Sequence, residues 1–334
     1  MKRILLTTAA ALLLNIDLTT AAPNVSKGKL LEYPQFKSEY VSPRDIWVWV
    51  PEDYSPKKKY DVLYMHDGQM LFDAATTWNK QEWKIDETVG QLIEEGKINP
   101  CIVVGIANIS ATRYGDYFPQ KTLQWLPEGT SIPKDTQFNA DNYLRFLVKE
   151  VKPFIDKTYA THKGNSHTFV MGSSMGGLIS LYALCEYPEV FGGAGCLSTH
   201  VPMVLSKTLP NAAADVWAKA FRAYLNENLP KANSKLIYMD RGDATLDSFY
   251  PAYQQAIDSL MEAKGWEGPA WTSKVFPGAA HTETDWAERL NNPLQFLLGK
   301  RKAEGVSRIE PSFWWCGMKN PRLQLMVYGN YSAN

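Results

Sequence analysis

A serine flanked by glycines is the clearest candidate for chemistry in this sequence of 334 residues. Gly172, Ser174 and Gly176 lie in the stretch FVMGSSMGGL and fit the pattern G-x-S-x-G. In proteins that use this pattern for catalysis, the serine lies on a sharp turn between a strand and a helix, with its hydroxyl exposed. A chain with 22 glycines also produces the pattern by chance. The flanking elements therefore have to decide whether Ser174 is a nucleophile.

The segments around Ser174 predict the required strand, turn and helix. Residues 167–171 (HTFVM) are typical of a strand, and residues 178–187 are typical of a helix. The first amides of that helix would lie where they stabilise a developing negative charge. We predict that Ser174 is the nucleophile and that Ser173 is not, because only Ser174 has both glycines at the required spacing.

His281 is the best candidate for the base that takes the proton from Ser174. It follows a predicted strand at residues 271–276 through the short segment PGAA. A base late in the chain, after the last strand, fits the order Ser, Asp/Glu, His. The other four histidines are interpreted as structural, with His66 and His200 also placed to contact substrate; they are His66, His162, His167 and His200.

The acid that orients the base should follow the predicted strand at residues 235–239. Three aspartates compete for this role: Asp240, Asp243 and Asp247. Asp240 is predicted to belong still to the strand. Spacing alone leaves Asp243 and Asp247 open.

A tetrahedral oxyanion needs two N–H donors in addition to these side chains. We expect one to be the backbone N–H of Met175, directly after the nucleophile. The other is expected from Gln69, in the loop after the predicted strand at residues 60–65, where Gly68 permits a close backbone approach.

The elements that must position these residues alternate between strand and helix. Helical spacing of apolar residues recurs at residues 141–157, 252–264 and 283–298, and residues 200–233 form an insertion with helical character. The predicted strands are residues 45–50, 60–65, 101–106, 167–171, 193–198, 235–239 and 271–276. This alternation predicts one α/β domain with a mostly parallel sheet and helices on both faces.

Charge and cysteine usage exclude several classes of protein. Lysine plus arginine and aspartate plus glutamate both number 35, so charge gives no argument for nucleic-acid binding. The four cysteines have no CxxC spacing, which argues against a metal cluster. Three of them lie in apolar runs and are predicted to be core residues: Cys101, Cys185 and Cys196.

The first residues are typical of a secretory signal peptide. Lys2 and Arg3 precede an apolar stretch at residues 4–14, and small residues follow it. The stretch is too short for a stable membrane anchor. We expect residues 1–22 to be removed on export to the periplasm or the cell exterior.

Three motifs together resemble the putative esterase family, which includes feruloyl and acetyl-xylan esterases of carbohydrate esterase family one and enterobactin esterases. They are HTFVMGSSMGGLISLYALCEYPEVFGG, VLYMHDGQMLFD and GAAHTETDW. The resemblance covers roughly residues 40–300 and implies an α/β-hydrolase fold that uses neither cofactor nor metal. It places Ser174 and His281 at the motif positions. Similar members carry G-T-x-x-L-D after the seventh strand, which stands here at residues 242–247 and favours Asp247 as the acid.

Other residues near the expected pocket follow from the same motifs. The resemblance places Trp83 and Arg113 at family positions there, and Asp67 follows His66 in the HDG motif. The candidate contacts with substrate are His66, Asp67, Trp83, Arg113 and His200.

The C-terminal tail resembles a different family. Residues 310–329 (EPSFWWCGMKNPRLQLMVYG) are similar to the beginning of the N-terminal immunoglobulin-like domain of cyclomaltodextrinases. The resulting division is a signal peptide at residues 1–22, a hydrolase domain at 23–301 and a tail at 302–334. The tail favours a setting of glycan breakdown.

Three functions remain in competition at this point. The first is an exported serine esterase that removes feruloyl or acetyl groups from plant polysaccharides or oligosaccharides. The second is the same chemistry on a siderophore lactone, and the third is a carbohydrate-binding protein on an inactive hydrolase scaffold. An acyltransferase that uses a sugar alcohol in place of water shares the first mechanism.

Overall fold

The structure is a computed structural model that describes residues 22–132, 137–204 and 215–300, and the backbone of 306–310 and 326–329. The predicted signal peptide, apart from Ala22, and most of the C-terminal tail lie outside the described residues. The signal peptide and the nature of the tail stay predictions.

An eight-stranded sheet forms the centre of the protein, with the strand order β1-β2-β4-β3-β5-β6-β7-β8. The first two strands pair antiparallel, and all pairs from β4 to β8 are parallel. The strands are β1 Lys29–Phe36, β2 Arg44–Val50, β3 Asp61–His66, β4 Cys101–Ile106, β5 Thr168–Ser173, β6 Gly193–Leu197, β7 Leu236–Arg241 and β8 Trp271–Val275. A separate antiparallel pair joins β9 Val306–Glu310 to β10 Met326–Gly329.

Helices cover both faces of the sheet, which gives two apolar cores. The helices are α1 Ile85–Glu94, α2 Arg113–Tyr117, α3 Ala140–Arg145, α4 Lys152–Thr158, α5 Met175–Glu186, α6 Val216–Asn228, α7 Pro251–Ala263, α8 Glu283–Arg289 and α9 Asn291–Leu298. Because side chains alternate along a strand, Val62 and Tyr64 of β3 enter one core while Leu63 and Met65 enter the other. Among the described helices, none has both the length and the apolar character needed to cross a lipid bilayer.

The predicted α/β-hydrolase fold is confirmed, and the differences concern single elements. The sequence analysis did not predict β1, because it is a mostly exposed edge strand that contains Pro34, a residue that edge strands tolerate. The predicted helix at residues 283–298 is two helices. Pro293 has no N–H for the carbonyl of Arg289, and the Asn292 side chain donates to that carbonyl at 3.1 Å.

The predicted helix at residues 141–157 is α3 and α4 joined by a π-helical turn at Phe146–Val151. The three cysteines expected in the core, Cys101, Cys185 and Cys196, are buried free thiols. Cys316 lies outside the described residues.

The sheet brings the loops of interest to one edge. β3, β5, β6, β7 and β8 are parallel, so the segments that follow them meet at the carboxyl ends of the strands. These segments contain Gln69, Ser174, His200, Asp247 and His281.

Candidate active site

Ser174 occupies a strained turn between β5 and α5. Its φ and ψ are 56° and −119°, a conformation that residues with a side chain seldom adopt and that recurs at functional sites. Its N–H donates to the carbonyl of Leu197 at 2.9 Å, and its own carbonyl accepts from the N–H of Gly177 at 3.1 Å. A Cβ on Gly172 would lie 2.9 Å from the carbonyl atoms of Gly176, so the turn requires glycine there. The backbone therefore holds the half-buried Ser174 at the carboxyl end of β5.

His281 and Asp247 form a hydrogen-bonded pair at the same edge. The distance from His281 Nδ1 to Asp247 Oδ1 is 2.6 Å, and the carboxylate is fully buried. A carboxylate can only accept, so Nδ1 carries the proton and Nε2 is the ring nitrogen left to accept one. The N–H of His281 also donates to Thr245 Oγ1 at 2.8 Å, which fixes the loop.

The electrostatic surroundings keep Asp247 ionised. Burial alone raises its pKa, but donors around the carboxylate outweigh that effect and hold the pKa below its ordinary value. These donors are His281, the Ser198 hydroxyl at 2.5 Å and the N–H of Gly242 at 2.6 Å. An ionised carboxylate at this position stabilises a protonated His281 ring.

The other two aspartates after β7 have different partners. Asp243 is exposed and accepts from the N–H of Gly278 at 2.6 Å, within the loop that leads to His281. Asp240 belongs to β7, as predicted, and is buried against Arg289 at 3.2 Å. Asp247 is therefore the member of this group that contacts His281.

A buried network missed by the sequence analysis supports Asp247 from behind. Ser198 donates to Asp247 and accepts from Trp286 Nε1 at 3.0 Å and from Arg289 Nη2 at 2.8 Å. Trp286 and Arg289 lie one turn apart on α8, the helix that begins two residues after His281. That spacing is visible in the sequence, but the partner Ser198 is 88 residues away along the chain from Trp286.

Tyr250 is a second residue that the sequence analysis missed. Its hydroxyl lies near the Ser174 side chain and 2.7 Å from Nδ1 of His200. Its ring packs edge-to-face on His281, with ring centroids 5.8 Å apart. Burial raises the pKa of Tyr250, so the phenol stays protonated.

The direction of the hydrogen bonds at Tyr250 follows from a carbonyl group. His200 Nε2 lies 3.2 Å from the carbonyl of Val204, which can only accept, so Nε2 carries the proton. His200 is neutral because burial lowers its pKa to about 4. Its Nδ1 therefore accepts from the Tyr250 hydroxyl.

The loop after β3 lies directly against the first turn of α5. Asp67 has a left-handed backbone, with φ and ψ of 57° and 44°. A Cβ on Gly176 would lie 3.5 Å from the Asp67 carboxylate, so the two segments are in contact. A Cβ on Gly68 would lie 2.5 Å from the carbonyl carbon of Gly105, which only a glycine avoids. Met175 and Gln69, the expected oxyanion donors, thus lie on two neighbouring segments.

Arg113 and Asn108 fix the conformation of this loop. Arg113 donates to both carboxylate oxygens of Asp67, at 2.8 and 2.7 Å, and Asn108 donates to Oδ1 at 2.6 Å. Burial raises the pKa of Asp67, but these partners, Arg113 above all, bring it below its ordinary value. Gln69 accepts from the N–H of Asn108 at 3.1 Å, which ties the oxyanion loop to the segment after β4.

The structure separates the five expected substrate contacts into two groups. His66, Trp83 and His200 are 2–3% exposed and have ring or hydrogen-bond partners inside the protein. Burial lowers the pKa of His66 to about 3, so its ring is neutral. The Arg113 side chain is 29% exposed and that of Asp67 is 12% exposed. The pocket role of all five stays a prediction.

Comparison with protein-family models identifies the chain. The model described as "Putative esterase" matches residues 39–297. The chain belongs to the putative esterase family. The resemblance seen in the three motifs is thus confirmed, and family membership supports the expected enzyme class, a carboxylic ester hydrolase. A second model, "Cyclomaltodextrinase, N-terminal", matches residues 308–334 of the tail.

Two curated relatives of this esterase-family chain are named as esterases. It is 26% identical over 175 residues to the ferri-bacillibactin esterase BesA of Bacillus subtilis, which covers 49% of this chain and 57% of BesA. It is 28% identical over 168 residues to an endo-1,4-β-xylanase/feruloyl esterase of Xylanibacter ruminicola, covering 46% of this chain and 20% of that protein. The chain therefore spans less than two thirds of the length of either relative.

Solved structures agree on the fold. A ferulic acid esterase superposes with a TM-score of 0.56 at 19% identity, covering 81% of this chain and 98% of the other. The shared fold therefore covers almost the whole of that enzyme.

Proposed function

We propose that the protein is a serine carboxylic-ester hydrolase in which Ser174, His281 and Asp247 act as the catalytic triad. The observation that carries the proposal is the 2.6 Å contact between His281 and the buried Asp247, at the sheet edge that also holds the strained Ser174. Nucleophile, acid and base follow one another along the chain in the order that this fold uses.

The first half of the reaction forms an acyl-enzyme. His281 Nε2 takes the proton of Ser174 as the oxygen attacks the ester carbonyl carbon, and the N–H groups of Met175 and Gln69 donate to the oxyanion. Asp247 stabilises the imidazolium without taking its proton. The tetrahedral intermediate collapses, and the departing alcohol takes the proton from His281.

The second half of the reaction uses the same groups in reverse. His281 takes a proton from water, and the resulting nucleophile attacks the acyl carbon bound to Ser174. Collapse returns the proton to Ser174 and releases the carboxylic acid. If a sugar hydroxyl replaced water in this step, the product would be a new ester.

For the substrate we propose feruloyl or acetyl esters on plant polysaccharides or oligosaccharides. The similarity to a xylanase/feruloyl esterase supports this choice. The match of the tail to a domain named for cyclomaltodextrinase also favours a glycan setting. The signal-peptide pattern at residues 1–22 adds an export step to the periplasm or cell exterior, where such polymers are met.

A siderophore lactone is the second candidate, because BesA is named as a ferri-bacillibactin esterase. An anionic iron-catecholate would favour free positive charge beside the site. Arg113 is partly exposed there, but both of its hydrogen bonds go to Asp67, which neutralises it. The absence of free positive charge at Arg113 therefore favours a neutral feruloyl or acetyl ester over an anionic siderophore.

A panel of three substrates tests the proposal. Methyl ferulate, acetylated xylan and a catecholate trilactone are compared at equal enzyme concentration, with folded Ser174→Ala as the control. We expect turnover of the feruloyl or acetyl ester and loss of it in the variant. Turnover of the trilactone alone would favour the siderophore function. Binding of xylan without hydrolysis of any ester would favour the non-catalytic alternative.

A further inference from the structure

A second cluster of reactive side chains lies at the opposite edge of the sheet from Ser174. Asp61, His162 and His167 each place one potential ligand atom within 4.8 Å of the others. Asp61 is the first residue of β3, and His167 comes directly before β5. The proposed ester hydrolysis uses none of these three side chains.

The backbone holds the three residues in place. The N–H of His162 donates to the carbonyl of Tyr60 at 2.9 Å, which joins it to the residue before Asp61. The N–H of Asp61 donates to the carbonyl of Pro100 at 3.2 Å. The rings of His162 and His167 are stacked, with centroids 4.3 Å apart. The backbone therefore ties His162 to the beginning of β3, next to Asp61, while His167 lies at the beginning of the neighbouring β5.

The carboxylate of the cluster is buried, with 5% of the Asp61 side chain exposed. Among the described residues, its charge partners are imidazoles, with His167 Nδ1 at 2.6 Å. Asn99 donates to the other carboxylate oxygen at 3.3 Å. A divalent cation would supply positive charge to this carboxylate.

We propose that Asp61, His162 and His167 bind one divalent transition-metal ion such as Zn²⁺ or Ni²⁺, with water completing its coordination. Two imidazoles and a carboxylate suit such ions. Ligands at 2.0–2.2 Å from a tetrahedral ion lie about 3.4 Å from one another. The ligand atoms of Asp61 and His167, now 2.6 Å apart, would thus separate by about 0.8 Å. The most distant pair of ligand atoms, now within 4.8 Å, would approach by up to about 1.4 Å. Side-chain rotation suffices, because both histidines are partly exposed.

The position of the cluster gives the ion a structural role. Ser174 lies six residue steps after Thr168, the first residue of β5, which is a distance of about 20 Å at 3.3 Å per residue. The ion is too far away to touch the ester. It would join the beginning of β3 to the segment before β5, and the far ends of these strands carry the oxyanion loop and the nucleophile.

Isothermal titration of ZnCl₂ and NiCl₂ into tag-free, EDTA-treated protein tests the proposal. We expect saturable binding of one ion per chain and a rise in melting temperature with the ion. His162→Gln and His167→Gln should each lose more than the roughly 10- to 100-fold in affinity that removal of an outer-shell partner costs. Asn99→Ala, which removes such an outer-shell partner, should lower the metal affinity about tenfold.

Lys163→Ala is the matched control, because it changes the same exposed loop without touching a ligand. It should bind the ion as the wild type does. Far-UV circular dichroism and thermal unfolding without metal should be the same in all these variants, which shows that they fold and keeps the result independent of the esterase proposal. Absence of saturable binding, or equal binding by the wild type and His162→Gln, would overturn the metal site.

Discussion

Replacing Asp247 by asparagine should disable the triad while leaving its shape. The asparagine oxygen can still accept from Ser198 and from the N–H of Gly242, which now donate at 2.5 and 2.6 Å. Its NH₂ group then faces His281 Nδ1, which lies 2.6 Å from the carboxylate in the native protein. An NH₂ group donates, so the ring must carry its proton on Nε2 and can no longer accept from Ser174.

The expected loss in kcat for Asp247→Asn is on the order of 10⁴-fold, as found when the wrong tautomer is imposed on a triad. At 1.36 kcal/mol per factor of ten, this corresponds to about 5 kcal/mol of transition-state stabilisation. KM should change little, because the substitution lies behind the imidazole. The assay is steady-state hydrolysis of p-nitrophenyl acetate, with thermal unfolding as the test of folding.

Asp243→Asn is the matched control. Asp243 is exposed and accepts from Gly278, and asparagine can do the same. We expect kcat within about threefold of the wild type, in the range of a surface change of no more than 0.5 kcal/mol. A folded Asp247→Asn variant that keeps a tenth of the activity, or a large loss confined to Asp243→Asn, would refute the assignment of the acid.

Three further perturbations test the surroundings of the triad. Gly68→Ala forces a Cβ to within 2.5 Å of Gly105 and should displace the oxyanion loop, lowering kcat by about 100-fold or more, whereas Gly164→Ala, with its nearest contact at 3.8 Å, should leave kcat unchanged. Ser198→Ala removes a donor to Asp247 and the acceptor of two buried donors, so urea unfolding should show a loss of about 1–3 kcal/mol; an unchanged midpoint would mean that the network is unimportant. The pKa of Asp247 is lower in the folded protein than its ordinary value of about 3.9, so the contribution of its ionised form to stability is present above that pH and is lost as the pH falls through the folded pKa. The difference in unfolding free energy between wild type and Asp247→Asn should therefore shrink below about pH 4. A difference that grows there would contradict this.

The sequence predicted those parts of the site that are encoded locally. Ser174 is marked by its glycines and by the change from strand to helix around it. His281 is marked by its place after β8. Each depends on a few consecutive residues, so periodicity and chain order are enough to find them.

The parts that could not be predicted depend on how distant loops meet. Spacing alone does not separate Asp243 from Asp247, and only the family motif favoured Asp247; in the structure the choice is set by contacts with the loop before His281, where the N–H of Asp243 donates to the carbonyl of Ala279. Tyr250 reaches Ser174 only because β5 and β7 flank β6 in the sheet. The pairing of Asp61 with His167 spans 106 residues. Local spacing and periodicity do not report contacts between segments that lie so far apart in the chain.

Covalent labelling of the nucleophile tests the central claim most directly. The purified protein is inactivated with a fluorophosphonate, which reacts with serines activated by a neighbouring base, and the modified residue is located by peptide mass spectrometry. We predict a single adduct on Ser174, with its rate of formation falling with activity in Asp247→Asn and the adduct absent from folded Ser174→Ala. Labelling of another serine, or inactivation without modification of Ser174, would contradict the proposed triad.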